Sequence, residues 1–336
     1  MKSNKVNHLI LLLCVIILIL SAIVSIFIGT IPISPRLVWG SLLHRFHISG
    51  GIIVPAYYDM VIWQLRLPRI MMSLLSGAAL AICGCVFQSI FRNPICDPYI
   101  LGISSGASLG AAISIVLGLD TLMFGVTVPA LLCAILTLLL IMGIARVRNR
   151  QSTQTLLLTG IAINFFISAF VTLLMVVCKQ DMQKIFFWTM GSLSTTMWTD
   201  VLCLLPILAA SIIILYIYAK DLNIMQMGTE SAQSLGVNTQ RTLYVTLITS
   251  SLLIGVVVSF CGVIGFIGLI VPHICRLIVG SDNRRLFTYS LLAGGFFLLV
   301  ADTLARTLAA PSELPVGSIT ALAGAPYFIY LVIRKQ

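Results

Sequence analysis

Apolar residues fill this chain in long blocks, cut by short polar interruptions. A helix needs ~20 apolar residues to cross a bilayer. Runs of that kind fall at 9–28, 69–91, 100–118, 121–145, 154–178, 201–219, 241–261, 263–280, 286–306 and 315–333. The pattern predicts an all-α integral membrane fold with ten transmembrane helices. It makes 1–336 a single transmembrane domain, because no polar stretch between the runs is long enough to fold alone. An even number of spans puts both termini on the same side.

Composition agrees with the pattern. Of 336 residues, 59% are hydrophobic and only 9% charged, with a mean hydropathy of +1.10, whereas a soluble domain carries about 25% charged residues. The formal net charge of +10 would suggest nucleic acid in a soluble protein. Here it reads as cytoplasmic loops rich in Lys and Arg, with no nucleic-acid partner. Placing the termini inside leaves 13 basic residues on inner segments, among them Lys2, Lys5, Arg92, Arg146, Arg284 and Arg285. Seven remain outside: Arg36, Arg45, Arg66, Arg69, Lys179, Lys184 and Arg306. The termini are therefore assigned to the cytoplasm. The N-terminal run lacks a small-x-small cleavage site and reads as an uncleaved first span. Nine cysteines without a CxxC, nearly all in apolar segments, read as buried thiols.

The run of spans is broken at "QSIFRNPICDPYILGISSG", residues 88–106. Pro94 and Pro98 each remove a backbone donor and disfavour helix before them. Irregular backbone at membrane depth persists only where it is buried in protein or lines a wet path. Shifting the chain by 178 residues lays 70–102 over 248–280, with coincidences that include Leu74/Leu252, Gly77/Gly255, Cys83/Cys261, Gly84/Gly262 and Pro94/Pro272. The coincidences indicate an internal duplication, which becomes an inverted repeat if the copies enter from opposite sides. In this register the second break falls at "LIVPHICR", around Pro272 and His273. Paired breaks of this kind point to a translocation pathway, with an ordinary tight turn as the alternative. After the first break, Gly102, Gly106 and Gly110 at i, i+4 and i+8 form a stripe that lets another helix pack closely.

The longest polar interruption on the inner side is "AKDLNIMQMGTESAQSLGVNTQR", residues 219–241. Within it "ESAQSLG" reads as a short helix ending at Gly236, a natural C-terminal cap. Glu230 near its start suits the helix dipole. With Met225, Met227 and Leu235 expected on its surface, the segment reads as a docking element.

The pattern E-x-A-x3-G, at Glu230, Ala232 and Gly236, is similar to the coupling loop of ABC importer permeases. "RLPRIMMSLLSGAALAICGCVFQSIFRNPICDPYILGISSGASLGA" resembles the hallmark segment of the permease family for iron chelates (siderophores), haem and vitamin B12. "FWTMGSLSTTMW", "GVIGFIGLIVPHICRLIVGSDNRR" and "ADTLARTLAAPSELPVGSITALAGAPYFIYL" resemble its further signatures. The resemblance runs from about Trp63 to Lys335. It departs at Ile95 and Cys96, where the family usually has Leu and Ala, and at Ser231, where a second Ala is common.

The resemblance implies a vitamin B12 importer permease-like subunit in a bacterial or archaeal cytoplasmic (inner) membrane. It would pair with a second permease copy or paralogue around a central path for a metal chelate, most often an iron–siderophore complex, with haem, vitamin B12 or an oxyanion as other cargoes. Two ATP-binding subunits would sit below and an extracytoplasmic solute-binding protein would dock above. Glu230, Ala232, Leu235 and Gly236 would meet the ATPase. Asn93, Pro94 and Ile95, facing Ser152 and Thr153, would form the cytoplasmic gate. Arg66, Arg69 and Arg306 at the outer end would receive carboxylates of the binding protein, the alternative being cations that anchor at lipid headgroups. The chain has no GxxxxGK[ST] loop, so ATP and Mg would be bound by the partner ATPase, with no cofactor or metal held here.

Two other classes stand beside this reading. A secondary transporter driven by an ion gradient would need intramembrane carboxylates. The candidates are Asp302 and Asp97, and Asp302 lies one helical turn before Arg306, which suggests a local ion pair. An intramembrane enzyme would need a catalytic constellation. HExxH is absent, and neither "GISSG" nor the lone His273 has partners nearby in sequence.

Overall fold

The computed structural model describes residues 2–31, 33–45, 53–147 and 153–334. Its elements are α1 (Lys2–Phe27), α2 (Pro35–Arg45), α3 (Ala56–Ile90), α4 (Ile103–Val116), α5 (Thr127–Val147), α6 (Thr153–Val177), α7 (Met182–Thr189), α8 (Trp198–Ile217), α9 (Ala219–Met225), α10 (Thr229–Ser234), α11 (Thr239–Cys261), α12 (Ile267–Val279), α13 (Asn283–Thr307) and α14 (Val316–Arg334). Among the described residues, seven helices are long and apolar enough to cross a membrane: α1, α3, α5, α6, α8, α11 and α13. Three shorter apolar helices, α4, α12 and α14, occupy the other three predicted places.

The second span departs from the sequence reading. Its helix starts at Ala56, not near residue 69, and runs on to Ile90. The chain passes Pro68 through a π-helical turn, Val61–Arg66, in which the Leu67 N–H bonds to Ile62 O. Widening the turn relieves the clash that a proline ring makes with the carbonyl four residues back.

α3 is the hub. It packs against α13, α12, α11 and α8, and its small residues Ser76, Gly77, Ala79, Ala81, Cys83 and Gly84 are buried on all sides of the helix. Without a hydrophobic drive between helices in lipid, small residues bring backbones into contact so that dispersion and close packing hold the bundle. A Cβ on Gly77 would stand 2.2 Å from Gly294 O on α13, and one on Gly84 would stand 1.9 Å from Gly268 O on α12.

The two halves share an order of elements. α3, a break, short α4, then α5 and α6 are answered by α11, a break, short α12, then α13 and α14. The packed pairs also correspond: α3 on α13 answers α11 on α5, and α4 on α5 answers α12 on α13. The position of the second break is corrected. Pro272 and His273 lie inside α12, and the irregular segment is 262–266, opened by Gly262 (φ 67°) and closed by Phe266 (φ 70°). The order of elements is therefore repeated without the 178-residue register: α3 ends at Ile90 and α11 at Cys261, and α4 and α12 begin at Ile103 and Ile267. Pro272 is the sixth residue of α12, where its missing N–H costs only a bond near the helix start.

Helices of 14 and 13 residues rise only about 20 Å, less than the ~30 Å hydrocarbon core. α4 and α12 are thus too short to cross it alone, and the two breaks beside them meet. Tyr99 donates its hydroxyl to Ile264 O at 2.9 Å, and Pro98 lies against Gly268.

Candidate functional site

Three places in the bundle gather the residues singled out from the sequence. At the end that carries α10, the segment after α3 leaves the helix through Arg92 at φ 48°. Asn93 Oδ1 accepts the Ile95 N–H at 3.1 Å, and Asp97 Oδ1 accepts the Tyr99 N–H at 2.8 Å and opens the 3-10 turn Pro98–Leu101. Each side chain thus accepts the N–H of the residue that follows a proline, as in an Asx turn. Asn93 is exposed, while Pro94 and Ile95 are half-buried.

The break touches the short helix directly. Arg92 Nη2 donates to Thr229 Oγ1 at 2.6 Å. A cavity of about 350 Å³ lies between them, lined by Phe91, Arg92, Thr153, Thr229, Gln233 and Gln240 among others. Thr153 therefore stands beside the break, and Ser152 lies outside the described residues. A polar cluster supports the same end. Asn223 on α9 donates to Asp282 at 2.7 Å and accepts the Asn283 N–H at 2.8 Å. Ser89 on α3 bonds Asn283 at 2.9 Å, and Gln226 bonds Ser89 at 3.2 Å.

α10 ends at Gly236 as the sequence indicated. Gly236 has φ 82°, its N–H reaches Gln233 O at 2.9 Å, and the Val237 N–H reaches Ala232 O at 3.0 Å. These are the two bonds of a Schellman cap. Glu230, Met227 and Leu235 are exposed. Two expectations are corrected. Met225 is buried, and Ala232 is completely covered within the chain's own core. The small side chain at 232 seats α10 on the bundle and does not face outward.

The arginines form a buried cluster at the opposite end. Arg69 Nε donates to both oxygens of Asp302 at 2.9 and 3.1 Å, and its Nη2 lies 2.9 Å from Asp302 Oδ1. Its Nη1 lies 2.8 Å from Glu313 Oε2. Arg306 Nε lies 3.2 Å from Asp302 Oδ2, and its Nη2 donates to Ser25 Oγ of α1 at 2.7 Å. The predicted pair of Asp302 with Arg306 is present and extends to Arg69. Arg66 donates to the carbonyls of Ile26 and Ile31. All three arginines are less than a tenth exposed, so they do not reach into a headgroup layer as lipid anchors would. They line a small cavity of about 120 Å³ together with Ser194 and Glu313. Nearby, the exposed Lys184 lies 2.7 Å from Asp120 and holds that carboxyl below its ordinary range.

The third place escaped the sequence reading. A groove of about 300 Å³ between α4 and α6 is lined by Ser104, Ser105, Ser108, Asn164, Ser168 and Thr172, with Thr189, Val171, Met175 and Val263. Asn164, Ser168 and Thr172 are spaced i, i+4, i+8 and share one face of α6, a signal present in the sequence but hidden by the apolar residues around it. The glycine stripe does other work. Gly106 and Gly110 lie against α5, where a Cβ would stand 2.9 Å from Cys133 O and 2.2 Å from Pro129 O, while Gly102 (φ 70°) leads into α4 beside Gly160 of α6. Among the described residues, no group of three or more His, Cys, Asp or Glu is placed to hold a metal ion.

The FecCD transport family model matches residues 17–334. YvrB, an ABC transporter permease protein of Bacillus subtilis (strain 168), is 40% identical, over 95% of this chain and 92% of that protein. The hemin transport system permease protein HmuU of Yersinia pestis is 36% identical, over 100% of this chain and 98% of that one. A solved metal-chelate type ABC transporter in an inward-facing conformation aligns with a TM-score of 0.84 at 31% identity, covering 97% of this chain and 99% of its own. With this bundle of apolar helices, the chain belongs to the FecCD transport family and is a multi-pass permease subunit of an ABC importer.

Proposed function

We propose that this permease passes a metal chelate, an iron–siderophore complex foremost, inward across a bacterial or archaeal cytoplasmic membrane. The groove between α4 and α6 carries the reading. Its lining is hydroxyls, an amide and apolar side chains, and none of its lining residues is charged. Such a wall offers many weak hydrogen bonds and no fixed counter-charge, so a large polar cargo can slide along it without being trapped. Relatives are named for cargoes that differ in shape and charge: hemin, Fe(3+)-citrate and vitamin B12. What these cargoes share is a metal held in an organic shell by oxygen or nitrogen atoms.

One chain supplies one wall. On α6, Leu158, Phe165 and Phe166 are exposed, and in this reading a second permease copy or a paralogue faces them across the path. Asn93, Pro94, Ile95, Ser152 and Thr153 form the cytoplasmic gate, with both termini on the same side. Two ATP-binding subunits, which hold ATP and Mg, press on α10 through Glu230, Leu235 and the Gly236 cap. The bond from Thr229 to Arg92 supports this, since it ties the ATPase-facing helix to the gate. The solute-binding protein docks at the other end over Arg66, Arg69 and Arg306, where the excess of arginine favours acidic partner residues.

The test is uptake by proteoliposomes that contain the permease, its ATPase and the binding protein. They are offered a radiolabelled ferric siderophore, haem and cobalamin in parallel, with and without internal ATP. ATP-dependent uptake of the siderophore alone supports the reading. Uptake of haem or cobalamin in its place overturns the cargo, and uptake driven by an ion gradient without ATP overturns the mechanism.

A further inference from the structure

The arginine cluster contains two carboxylates in unlike situations. Asp302 is fully buried and grips Arg69 and Arg306 from inside the bundle. Glu313 sits on the link between α13 and α14, with about a third (32%) of its side chain exposed, and takes only the outward nitrogen of Arg69, at 2.8 Å. Three guanidinium groups face two carboxylates, which leaves one positive charge in excess. Arg66 is the one held by backbone carbonyls instead of an acid. Glu313 also stands between two cavities. It lines the small cavity with Arg66 and Arg306 and a larger one of about 420 Å³ with Trp188 and Lys184.

We propose that Glu313 is a resident stand-in for the partner's docking acid. A carboxylate of the solute-binding protein displaces it from Arg69 and completes the charge balance with Arg66. This rests on the docking reading above and adds the residue that must leave. The small cavity is bounded by Arg66, Arg69 and Arg306, so an incoming carboxylate meets unpaired positive charge there, and at Arg69 it meets Glu313 as a like charge. Two carboxylates cannot share one guanidinium nitrogen at short range without mutual repulsion. Asp302 has no exposed surface through which to leave, and Glu313 has.

The displaced acid also has a route to the path. The Leu314 N–H bonds Ala305 O at 3.0 Å, and the Val316 N–H bonds Gly191 O at 3.0 Å. Gly317 packs on the carbonyls of Met190 and Val263, and Thr189 and Val263 line the groove. Release of Glu313 therefore loosens the start of α14 against the segment that closes the groove, so docking is felt at the path.

The experiment titrates the assembled importer in nanodiscs with the fluorescently labelled, cargo-loaded solute-binding protein of the same system, at low and high salt. Glu313→Gln should bind about tenfold more tightly at low salt, because a neutral side chain no longer competes for Arg69. Arg66→Glu should bind weakly. In the wild type, docking should speed amide exchange at Leu314 and Val316, and this does not depend on any variant folding. If Arg66→Glu weakens binding but Glu313→Gln binds no better than wild type, the stand-in is overturned and the docking site survives. Unchanged exchange at Leu314 and Val316 on docking likewise overturns it. If Arg66→Glu binds as well as wild type and binding ignores salt, the docking reading falls and the stand-in falls with it.

Discussion

Asp302→Asn is the most direct probe of the buried cluster. The carboxylate is fully covered and makes contacts of 2.9, 3.1 and 2.9 Å to Arg69 and 3.2 Å to Arg306. Removing one partner of a buried ion pair costs about 3–5 kcal/mol, because the other charge stays buried and unpaired. Two features reduce this. Asparagine keeps one acceptor oxygen, worth about 1 kcal/mol, and Glu313 still neutralises Arg69. The net loss is then about 2–3 kcal/mol. At roughly 2 °C per kcal/mol for a large domain, the melting temperature falls by about 4–6 °C. The chain carries its own reporters, because Cys83, Cys85, Cys261 and Cys275 are buried and react with a thiol-sensitive dye only as the bundle opens. Adding Arg306→Gln to Asp302→Asn should destabilise by about 1–2 kcal/mol less than the sum of the single changes, since the two share one interaction. A single variant that melts within 1 °C of wild type, or a strictly additive double variant, would refute the paired network.

Gly84→Ala should abolish accumulation of folded permease in the membrane, because its methyl would meet the Gly268 backbone carbonyl at 1.9 Å, and normal yields on size-exclusion chromatography would contradict the close approach of α3 and α12. Gly236→Val places a β-branched residue at φ 82°, at a cost of about 1–2 kcal/mol or more to the cap. The ATPase should then co-purify poorly and transport should fail, and an intact, active complex would mean another segment does the coupling. With the native cysteines replaced, Asn93→Cys should crosslink to its symmetry mate in one nucleotide state only, and a crosslink that never forms or ignores ATP would reduce the break to a turn. Lys184→Ala should release Asp120. Because Lys184 lowers that carboxyl's pKa, the pair's contribution is present above the unfolded carboxylate value and fades as pH falls through the folded one. The melting-temperature gap between wild type and variant should therefore narrow from pH 7 toward pH 3, and a gap constant across that range would exclude the pairing.

Much of the architecture was legible in one dimension. A helix in lipid must be apolar over its whole crossing length, so each of the ten predicted runs overlaps a helix, although the second begins at Ala56, well before the predicted start. The Schellman cap at Gly236 was equally local, because a backbone at positive φ favours glycine wherever the rest of the chain lies. The i, i+4 relation of Asp302 and Arg306 needed only helical spacing to become an ion pair.

Other features depended on contacts that spacing cannot express. Pro272 read as a break because proline is a local signal, but α12 forms around it and the true break falls where Gly262 and Phe266 turn the chain beside Tyr99. Ala232 matched a surface pattern, yet α10 lies on the bundle with that face inward. Arg66 and Arg69 looked like free cations at a membrane end. Folding brings Asp302 and Glu313, more than two hundred residues further along the chain, within 3 Å of Arg69. The hydroxyl groove needed α4 and α6 side by side. The sequence by itself determined that the chain is a series of apolar membrane helices and where α10 ends. Only the tertiary structure decided which polar groups are already partnered and which remain for a cargo or a docking protein, because partnering depends on distance in space between segments whose separation in sequence is arbitrary.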